Sequence, residues 1–147
     1  IHDAFKKDLE AVGIKVEVIS KPWNGGYLDD ASAGNYDAWL LGWTGDYNAA
    51  DNFLGTFFSN LESNDFQTSV HPWGKQLSDD LKAADAIVDE AERKAAYETI
   101  NKQIAEEYIP GLPISHSPPA LVTSAAVEGL VASPLTAEMF DTVTVKK

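Results

Sequence analysis

The stretch from Tyr36 to Phe58 constrains the fold of this chain more than any other part of it. It begins with an apolar, aromatic-rich run of strand length, Tyr36 to Trp43, which shows little polar alternation. Such a run is typical of a strand that is covered on both faces. The run breaks at residues 44–46, and an apolar block resumes after Asp51 and Asn52, which suit a helix start. We therefore predict a buried strand, a turn and a helix.

Asp46 comes directly after the predicted strand, and it is the leading candidate for a functional residue. Open α/β folds bind their ligands in the crevice outside the carboxyl ends of their strands. An aspartate here can also serve a turn or a helix start. Because Asp51 and Asn52 lie nearer the helix, Asp46 is free for another task. Trp43, at the end of the strand, is a candidate wall of the same pocket.

Two glycines flank the end of this strand, Gly42 and Gly45. Their simplest role is to form the turn, but glycine also allows another backbone to approach closely. If the ligand is a peptide, the main chain from Gly42 to Thr44 can pair with it as an added strand. Gly42, Thr44 and Gly45 therefore join the candidate ligand-binding residues.

Hydrophobic periodicity predicts alternating strands and helices along the remaining chain. Helices are expected over residues 1–12, 27–33, 75–87 and 90–108, and strands over residues 14–19 and 36–43. Strand, helix and strand in so short a space make a βαβ unit, for which parallel pairing is the default. The predicted fold class is α/β, with a mixed, mainly parallel sheet flanked by helices.

Composition narrows the classes of function. A chain of 147 residues with 44% hydrophobic content is long enough to bury a core. Its net charge of −12, from 11 basic and 23 acidic residues, argues against nucleic-acid binding. The acidity suits a protein outside the cytoplasm that accepts cationic or zwitterionic ligands, or it simply keeps the domain soluble. The chain has no cysteine, so no redox compartment is indicated.

Five motifs follow one another along the chain: residues 5–18, Trp23 with Tyr27 and Leu28, residues 42–47 with 51–54, residues 109–114 and residues 127–130. Together they resemble the family 5 bacterial extracellular solute-binding proteins, the oligopeptide and dipeptide receptors of ABC importers. The resemblance is to the carboxy-terminal part of the family and covers essentially the whole chain. Residues 48–50 are Asn-Ala-Ala where the family commonly has Pro-Asp-Pro, so we expect a looser turn.

The resemblance implies a type II periplasmic-binding-protein-like lobe that is part of a longer, two-lobe protein. Residues 1–117 would form the ligand-binding, carboxy-terminal α/β lobe. Residues 118–147 would form a tail whose short strands return toward the missing amino-terminal lobe. In peptide-binding members the aspartate that matches Asp46 pairs with the α-ammonium of the ligand. The resemblance also favours Trp23 as a ligand-facing aromatic, and His116 occupies a position where members often have an aromatic that reaches the ligand.

The expected function is therefore that of the substrate-binding component of an ABC importer, which captures a peptide between two lobes and delivers it to a membrane permease. The expected partners are the peptide, the permease and the missing amino-terminal portion of the same protein. The expected location is outside the cytoplasm, in the periplasm or as a cell-surface lipoprotein. No cofactor or metal is expected, because the partial likeness to a calcium loop fails at Asp51 and Phe57.

Two alternatives stay open at this stage. Trp23, Trp39 and Trp43 could stack on the rings of an oligosaccharide or contact another small solute. Asp46 and Asp51 could in principle form the acid–base pair of a glycosidase. An enzyme is not expected, because the chain lacks the nucleophile elbow, the zinc-protease helix and the phosphate-binding glycine loop.

Overall fold

The chain divides into two compact units, Ile1–Asp37 and Ala38–Lys147. The structure, a computed structural model, describes residues 1–62 and 65–146. The last residue of the predicted tail therefore lies outside the described residues. The predicted boundary between residues 117 and 118 concerns a complete two-lobe protein and stays a prediction.

The first unit contains two helices, α1 (His2–Ala11) and α2 (Leu28–Ser32). Gly13 follows α1 with a φ of +90°, a left-handed conformation that glycine adopts without strain and that ends the helix. A turn, Trp23–Tyr27, whose backbone is non-helical at Gly25 and Gly26, leads into α2. The helices predicted over residues 1–12 and 27–33 are thus confirmed.

Asp30 is the centre of hydrogen bonding in the first unit. Its carboxylate accepts hydrogen bonds from the side chains of Lys21, Asn35 and Tyr36, the last two at 3.1 Å. The hydrogen bond from the Lys21 ammonium, followed by that from Asn35, lowers the pKa of the Asp30 carboxyl. These contacts tie α2 to the segments before and after it.

Removing the Lys21 ammonium should raise the pKa of Asp30 toward its ordinary value. A carboxyl whose pKa is lowered on folding adds stability above its ordinary pKa of 3.8, and this stability is lost as the pH falls through the folded pKa. In Lys21→Met we expect the Asp30 titration midpoint, measured by NMR, to rise. The stability difference from the unmodified protein should vanish as the pH falls below that range. Lys15→Met, at an exposed lysine without a carboxylate partner in residues 1–37, should leave the midpoint unchanged.

Helices α4 (Gly74–Asp85) and α5 (Glu90–Gln103) carry the core of the second unit, and a π-helical turn, Ile104–Tyr108, extends α5. Leu77 and Leu81, one helical turn apart, are completely buried. Burying each leucine contributes roughly 1.5–3 kcal/mol. The other core side chains are Phe58, Ala84, Tyr97, Ile100 and Ile104. The helices predicted over residues 75–87 and 90–108 are confirmed.

Polar contacts close the connection between α4 and α5. The Asp89 carboxylate caps α5 by accepting a hydrogen bond from the main-chain nitrogen of Glu92 at 2.9 Å. The Arg93 guanidinium donates to the carbonyl oxygen of Ile87 at 3.1 Å. The Tyr97 hydroxyl donates to the Asp85 carboxylate, and burial together with this bond raises the pKa of Tyr97 far above its ordinary value. The two helices are therefore joined by hydrogen bonds as well as by apolar contacts.

The chain from Ala38 to α4 contains short helical pieces, and the helix predicted after Asp51 and Asn52 is a single turn. A 3₁₀ turn, Ala50–Asn52, precedes the one-turn helix α3 (Gly55–Phe58). An irregular segment, Asp65–Val70, with left-handed backbone at Phe66 and Gln67, leads to α4. Phe58 of the short helix α3 belongs to the core cluster that includes Leu77 and Leu81 of α4. Leu54 and Phe57 pack against the same cluster.

The described chain lacks the predicted mainly parallel sheet. Over residues 1–62 and 65–146 the assigned strands are β1 (Val127–Glu128) and β2 (Thr144–Val145), which pair antiparallel with Val127 opposite Val145. Residues 14–19 and 36–43 are not assigned as strands, so the predicted βαβ unit is not formed. A strand requires a neighbouring strand for its hydrogen-bonding ladder, which hydrophobic pattern alone does not supply. Aromatic side chains of the second segment pack on other rings instead, as Trp39 does on Phe66 at 5.5 Å between ring centroids.

Gly74 begins α4 at a point where a side chain has no room. A Cβ at this position would lie 1.8 Å from the carbonyl oxygen of Thr68. Gly74→Ala should therefore lower the free energy of unfolding by roughly 1–3 kcal/mol, because the backbone must move to relieve the clash. Urea unfolding measures this loss. Gly42→Ala is the matched control, since nothing lies within 4 Å of a Cβ there; equal stability of the two variants would contradict the expectation.

Candidate functional site

A buried amide holds the segment that follows the predicted strand. Asn52 is only 3% exposed and ends the 3₁₀ turn Ala50–Asn52. Its Oδ1 accepts hydrogen bonds from the indole Nε1 of Trp43 and from the main-chain nitrogen of Asp46, both at 3.0 Å. One buried oxygen thus fixes both ends of residues 43–46, which we call the 43–46 loop.

A residue distant in sequence holds the same loop from the tail. The main-chain nitrogen of Thr136 donates to the carbonyl oxygen of Gly45 at 3.0 Å. The Thr136 hydroxyl donates to Oδ1 of Asp46, also at 3.0 Å. The loop is therefore bonded on one side to a buried amide and on the other to the tail.

Gly45 is buried within the loop. A Cβ here would lie 2.7 Å from Cζ of Phe53 and 3.3 Å from Oδ1 of Asn52. A side chain at this position would displace the end of the Phe53 ring, so glycine lets the loop and the ring pack closely. The position of Gly45 therefore indicates a packing role, whereas we predicted a ligand-binding one, which stays a prediction.

Asp46 and Trp43 present functional groups at the surface of this unit. The Asp46 side chain is exposed, and within the described residues its second carboxylate oxygen, Oδ2, accepts no hydrogen bond. Trp43 is 44% exposed, although its ring packs edge-on against Phe57 at 5.3 Å between centroids. The Asn52 amide thus bonds to the Trp43 indole and to the main chain of Asp46, and both residues keep exposed side-chain surface.

The main chain of this segment is also available. Gly42 and Thr44 are exposed, and no hydrogen bond involves their main-chain groups in the part of the chain that the structure describes. Free N–H and C=O groups of extended backbone can accept a further strand. The segment from Gly42 to Thr44 therefore has the open groups that the predicted peptide pairing requires.

Trp23 and His116, the other two candidate residues, are both exposed. Trp23 is 49% exposed and stacks on Tyr27 at 5.8 Å between centroids, within the first unit. His116 is exposed in the second unit, where it makes no hydrogen bond or ring contact with the described residues. The structure thus groups five of the seven predicted site residues, Gly42 to Asp46, in one short segment.

Asn52 and Thr136 are the site residues that sequence reasoning missed. Asn52 was expected to cap the following helix, but neither the 3₁₀ turn nor α3 has a side-chain cap, so this expectation was wrong. The carboxamide turns back to the loop instead, where two donors converge on it. The sequence signal for this role is that Asn52 follows a turn-forming stretch. Thr136 lies 90 residues from Asp46, and no local pattern marks it.

An open groove of about 1080 Å³ lies in the second unit. It is lined by residues 48–51, 53 and 54 and by side chains of α4 and α5, among them Asp85, Arg93 and Tyr97. None of the seven predicted site residues lines it. Small-ligand sites are usually enclosed and converge on a few polar groups, whereas this groove is wide and carries charges of both signs. We therefore keep the 43–46 loop as the candidate site.

The carboxylates suggested for glycosidase chemistry bond to separate partners. Asp46 accepts from Thr136, and Asp51 accepts from the Tyr47 hydroxyl. The bond to Asp51 is also the main cause that raises the pKa of Tyr47. Within residues 1–62 and 65–146, no group of three or more His, Asp or Glu residues is placed to hold a metal ion. No helix in that part of the chain is both long and apolar enough to cross a bilayer.

Comparison with known proteins identifies the family. Residues 1–65 match the bacterial extracellular solute-binding proteins, family 5 middle segment. The chain is also 34% identical to the dipeptide-binding protein of Pseudomonas aeruginosa strain PAO1 over 139 residues, 94% of its length. The chain belongs to family 5. Proteins of this family have a type II periplasmic-binding fold.

Two further relatives of this family 5 chain carry similar names. The chain is 33% identical to di/tripeptide-binding protein 3 of Pseudomonas aeruginosa strain UCBPP-PA14 over 97% of its length. It is 28% identical to the dipeptide-binding protein of Escherichia coli K12 over 98% of its length. The matches cover 25–26% of these relatives, so the chain spans about a quarter of their length. No solved structure gave a significant match.

Loss of the Asn52 side chain should loosen the 43–46 loop of this family 5 chain. Asn52→Ala leaves the Trp43 indole and the main-chain nitrogen of Asp46 without their acceptor, at a cost of roughly 1–3 kcal/mol. Urea unfolding should show this loss. Asn48→Ala removes an exposed amide from the preceding segment and should change the free energy of unfolding by less than about 0.5 kcal/mol. If the two variants were equally stable, Asn52 would not be the support of the loop.

Proposed function

We propose that this chain is part of the substrate-binding component of an ABC importer, which captures short peptides and delivers them to a membrane permease. The family is one of extracellular solute-binding proteins, and the relatives described above are named for binding dipeptides and tripeptides. These names describe binding proteins rather than enzymes, which supports a binding function for this chain. They favour neither the oligosaccharide nor the glycosidase alternative.

The observation that carries this proposal is the exposed Asp46 carboxylate in a loop whose backbone is fixed. Its main-chain nitrogen is bonded to buried Asn52, and one carboxylate oxygen is bonded to Thr136. The other oxygen is open to a ligand. An α-ammonium group has the charge and the donors to bind it, in a charge-assisted hydrogen bond worth about 1.5–3 kcal/mol. Asp46 therefore selects the free amino terminus of a peptide.

Neighbouring groups would bind the rest of the peptide. The main chain of Gly42 to Thr44 pairs with the peptide backbone as an added strand, which requires no particular side chain in the ligand. The exposed face of Trp43 forms an apolar wall for a ligand side chain. Trp23 and His116, both exposed, are proposed as further ligand contacts. Affinity from backbone pairing with little side-chain selection suits a receptor for many short peptides.

The proposed mechanism requires a second lobe. The chain spans about a quarter of its relatives' length, and the 43–46 loop lies at the surface of its own unit. We propose that an amino-terminal portion of the same protein closes over this loop, that residues 1–117 belong to the carboxy-terminal lobe, and that the tail returns toward the other lobe. Closure around the ligand is the form that docks on the permease. The protein acts outside the cytoplasm, in the periplasm or as a surface lipoprotein.

Loss of the Asp46 charge should weaken the binding of free-amine peptides. We expect Asp46→Asn in the full-length protein to raise the Kd for alanyl-alanine by roughly 10- to 100-fold, because the ammonium loses its charged partner. Isothermal titration calorimetry of the same protein with N-acetyl-alanyl-alanine should give weak binding that the substitution leaves unchanged. Thermal unfolding should show little loss of stability, since the side chain is exposed.

Asp37→Ala is the matched control, because it removes another exposed carboxylate from the same stretch of sequence. It should leave both titrations unchanged. Equal binding of the free and acetylated peptides by the unmodified protein would refute ammonium recognition. Equal affinity of Asp46→Asn and the unmodified protein for alanyl-alanine would remove Asp46 from the site.

A further inference from the structure

The tail reaches the 43–46 loop through a turn that is itself held by hydrogen bonds. The main-chain nitrogen of Ser133 donates to the Glu138 carboxylate at 2.9 Å. The main-chain nitrogen of Leu135 donates to the Ser133 hydroxyl at 3.0 Å. Thr136 lies between these contacts, so its main chain is positioned by the turn before it meets the loop.

Thr136 bonds to the loop through two separate groups. Its main-chain nitrogen bonds to Gly45, and its hydroxyl bonds to Oδ1 of Asp46. The first bond attaches the tail to the loop and is independent of the side chain. The second bond joins the tail to the Asp46 side chain, and its acceptor is the carboxylate that the proposed function assigns to the ligand. A substitution that removes only the hydroxyl therefore separates the two roles.

The hydroxyl restricts the carboxylate without occupying it. An ionised carboxylate accepts about four hydrogen bonds, so one donor on Oδ1 leaves Oδ2 available. An exposed aspartate that is not held samples several rotamers, and ordering a side chain on binding has an entropic cost. Because Thr136 already holds one oxygen of Asp46, less of that cost falls on the ligand. The bond thus preorganises the site.

We propose that Thr136 is a positioning residue for ligand binding: its hydroxyl fixes the Asp46 carboxylate so that the free oxygen meets the peptide ammonium. This inference rests on the proposed function of Asp46. It assigns a role in recognition to the tail, at a residue that does not touch the ligand.

The experiment compares substitutions that remove or keep the hydroxyl in the full-length protein. Thr136→Val removes the hydroxyl, keeps the branched shape and retains the main-chain bond to Gly45. Thr136→Ser restores a hydroxyl. Thr142→Val is the matched control, because the Thr142 hydroxyl also makes one tail hydrogen bond, to the carbonyl oxygen of Gly129 at 2.9 Å, away from the loop. Calorimetric titration of each with alanyl-alanine and with N-acetyl-alanyl-alanine, alongside Asp46→Asn, gives the Kd values.

We expect Thr136→Val to raise the Kd for alanyl-alanine by roughly 3- to 10-fold, the effect of one hydrogen bond. Thr136→Ser should restore most of the affinity, and Thr142→Val should match the unmodified protein. The Kd for the acetylated peptide should not change in any variant. Removing the hydroxyl from a protein that already carries Asp46→Asn should have no further effect on the Kd for alanyl-alanine.

Two results would overturn the positioning role while leaving the proposed function intact. In the first, Asp46→Asn loses affinity but Thr136→Val does not. In the second, Thr136→Val binds alanyl-alanine more tightly, which would make the hydroxyl a competitor of the ligand. A loss that also affects the acetylated peptide, or that serine does not restore, would indicate general disruption and overturn the inference too. If the unmodified protein bound neither peptide, the proposed function and this inference would fall together.

Discussion

The buried side-chain oxygen of Asn52 is the interaction on which the candidate site depends. It accepts hydrogen bonds from the first and last residues of the 43–46 loop, one through the Trp43 indole and one through the Asp46 main chain. A buried acceptor with two donors is costly to leave unsatisfied, so the loop is held in one conformation. Asp46 can therefore lie at the surface on a fixed backbone, which is the combination that selective binding of a small charged group requires.

The residues that follow Asn52 pack on the core of α4 and α5. Phe58 belongs to the buried cluster, while Leu54 and Phe57 pack against it. These residues lie in and next to α3, directly after Asn52 in sequence. Phe57 also contacts the Trp43 ring edge-on, so apolar packing and hydrogen bonding hold the same tryptophan. Packing on α4 and α5 thus stabilises the site, although neither helix carries a predicted ligand-binding residue.

Several apolar side chains of the described chain face solvent, and they occur where the sequence is most strand-like. Ile14 and Ile19 are about half exposed, Leu112 is 78% exposed, and Val122 is exposed almost entirely. Their pattern is typical of strands, but a strand is stabilised by its neighbours and by burial of one face. Hydrophobic periodicity indicates which residues are suited to a strand. A sheet forms only where a neighbouring strand is available to pair with them. The same reasoning explains why β1 and β2, which do find each other, are assigned as strands.

The sequence by itself determined the helices, the family and the identity of the exposed carboxylate. Helical periodicity and stop signals are local, so α1, α2, α4 and α5 could be read directly, and five of the predicted site residues are consecutive in the chain. Only the tertiary structure decided which residues hold the 43–46 loop in place. Asn52 was predicted to cap a helix because such use is frequent, yet two donors from an earlier segment converge on it. Thr136 meets Asp46 across 90 residues, and a contact of that separation leaves no trace in local pattern, since it depends on how the chain folds back.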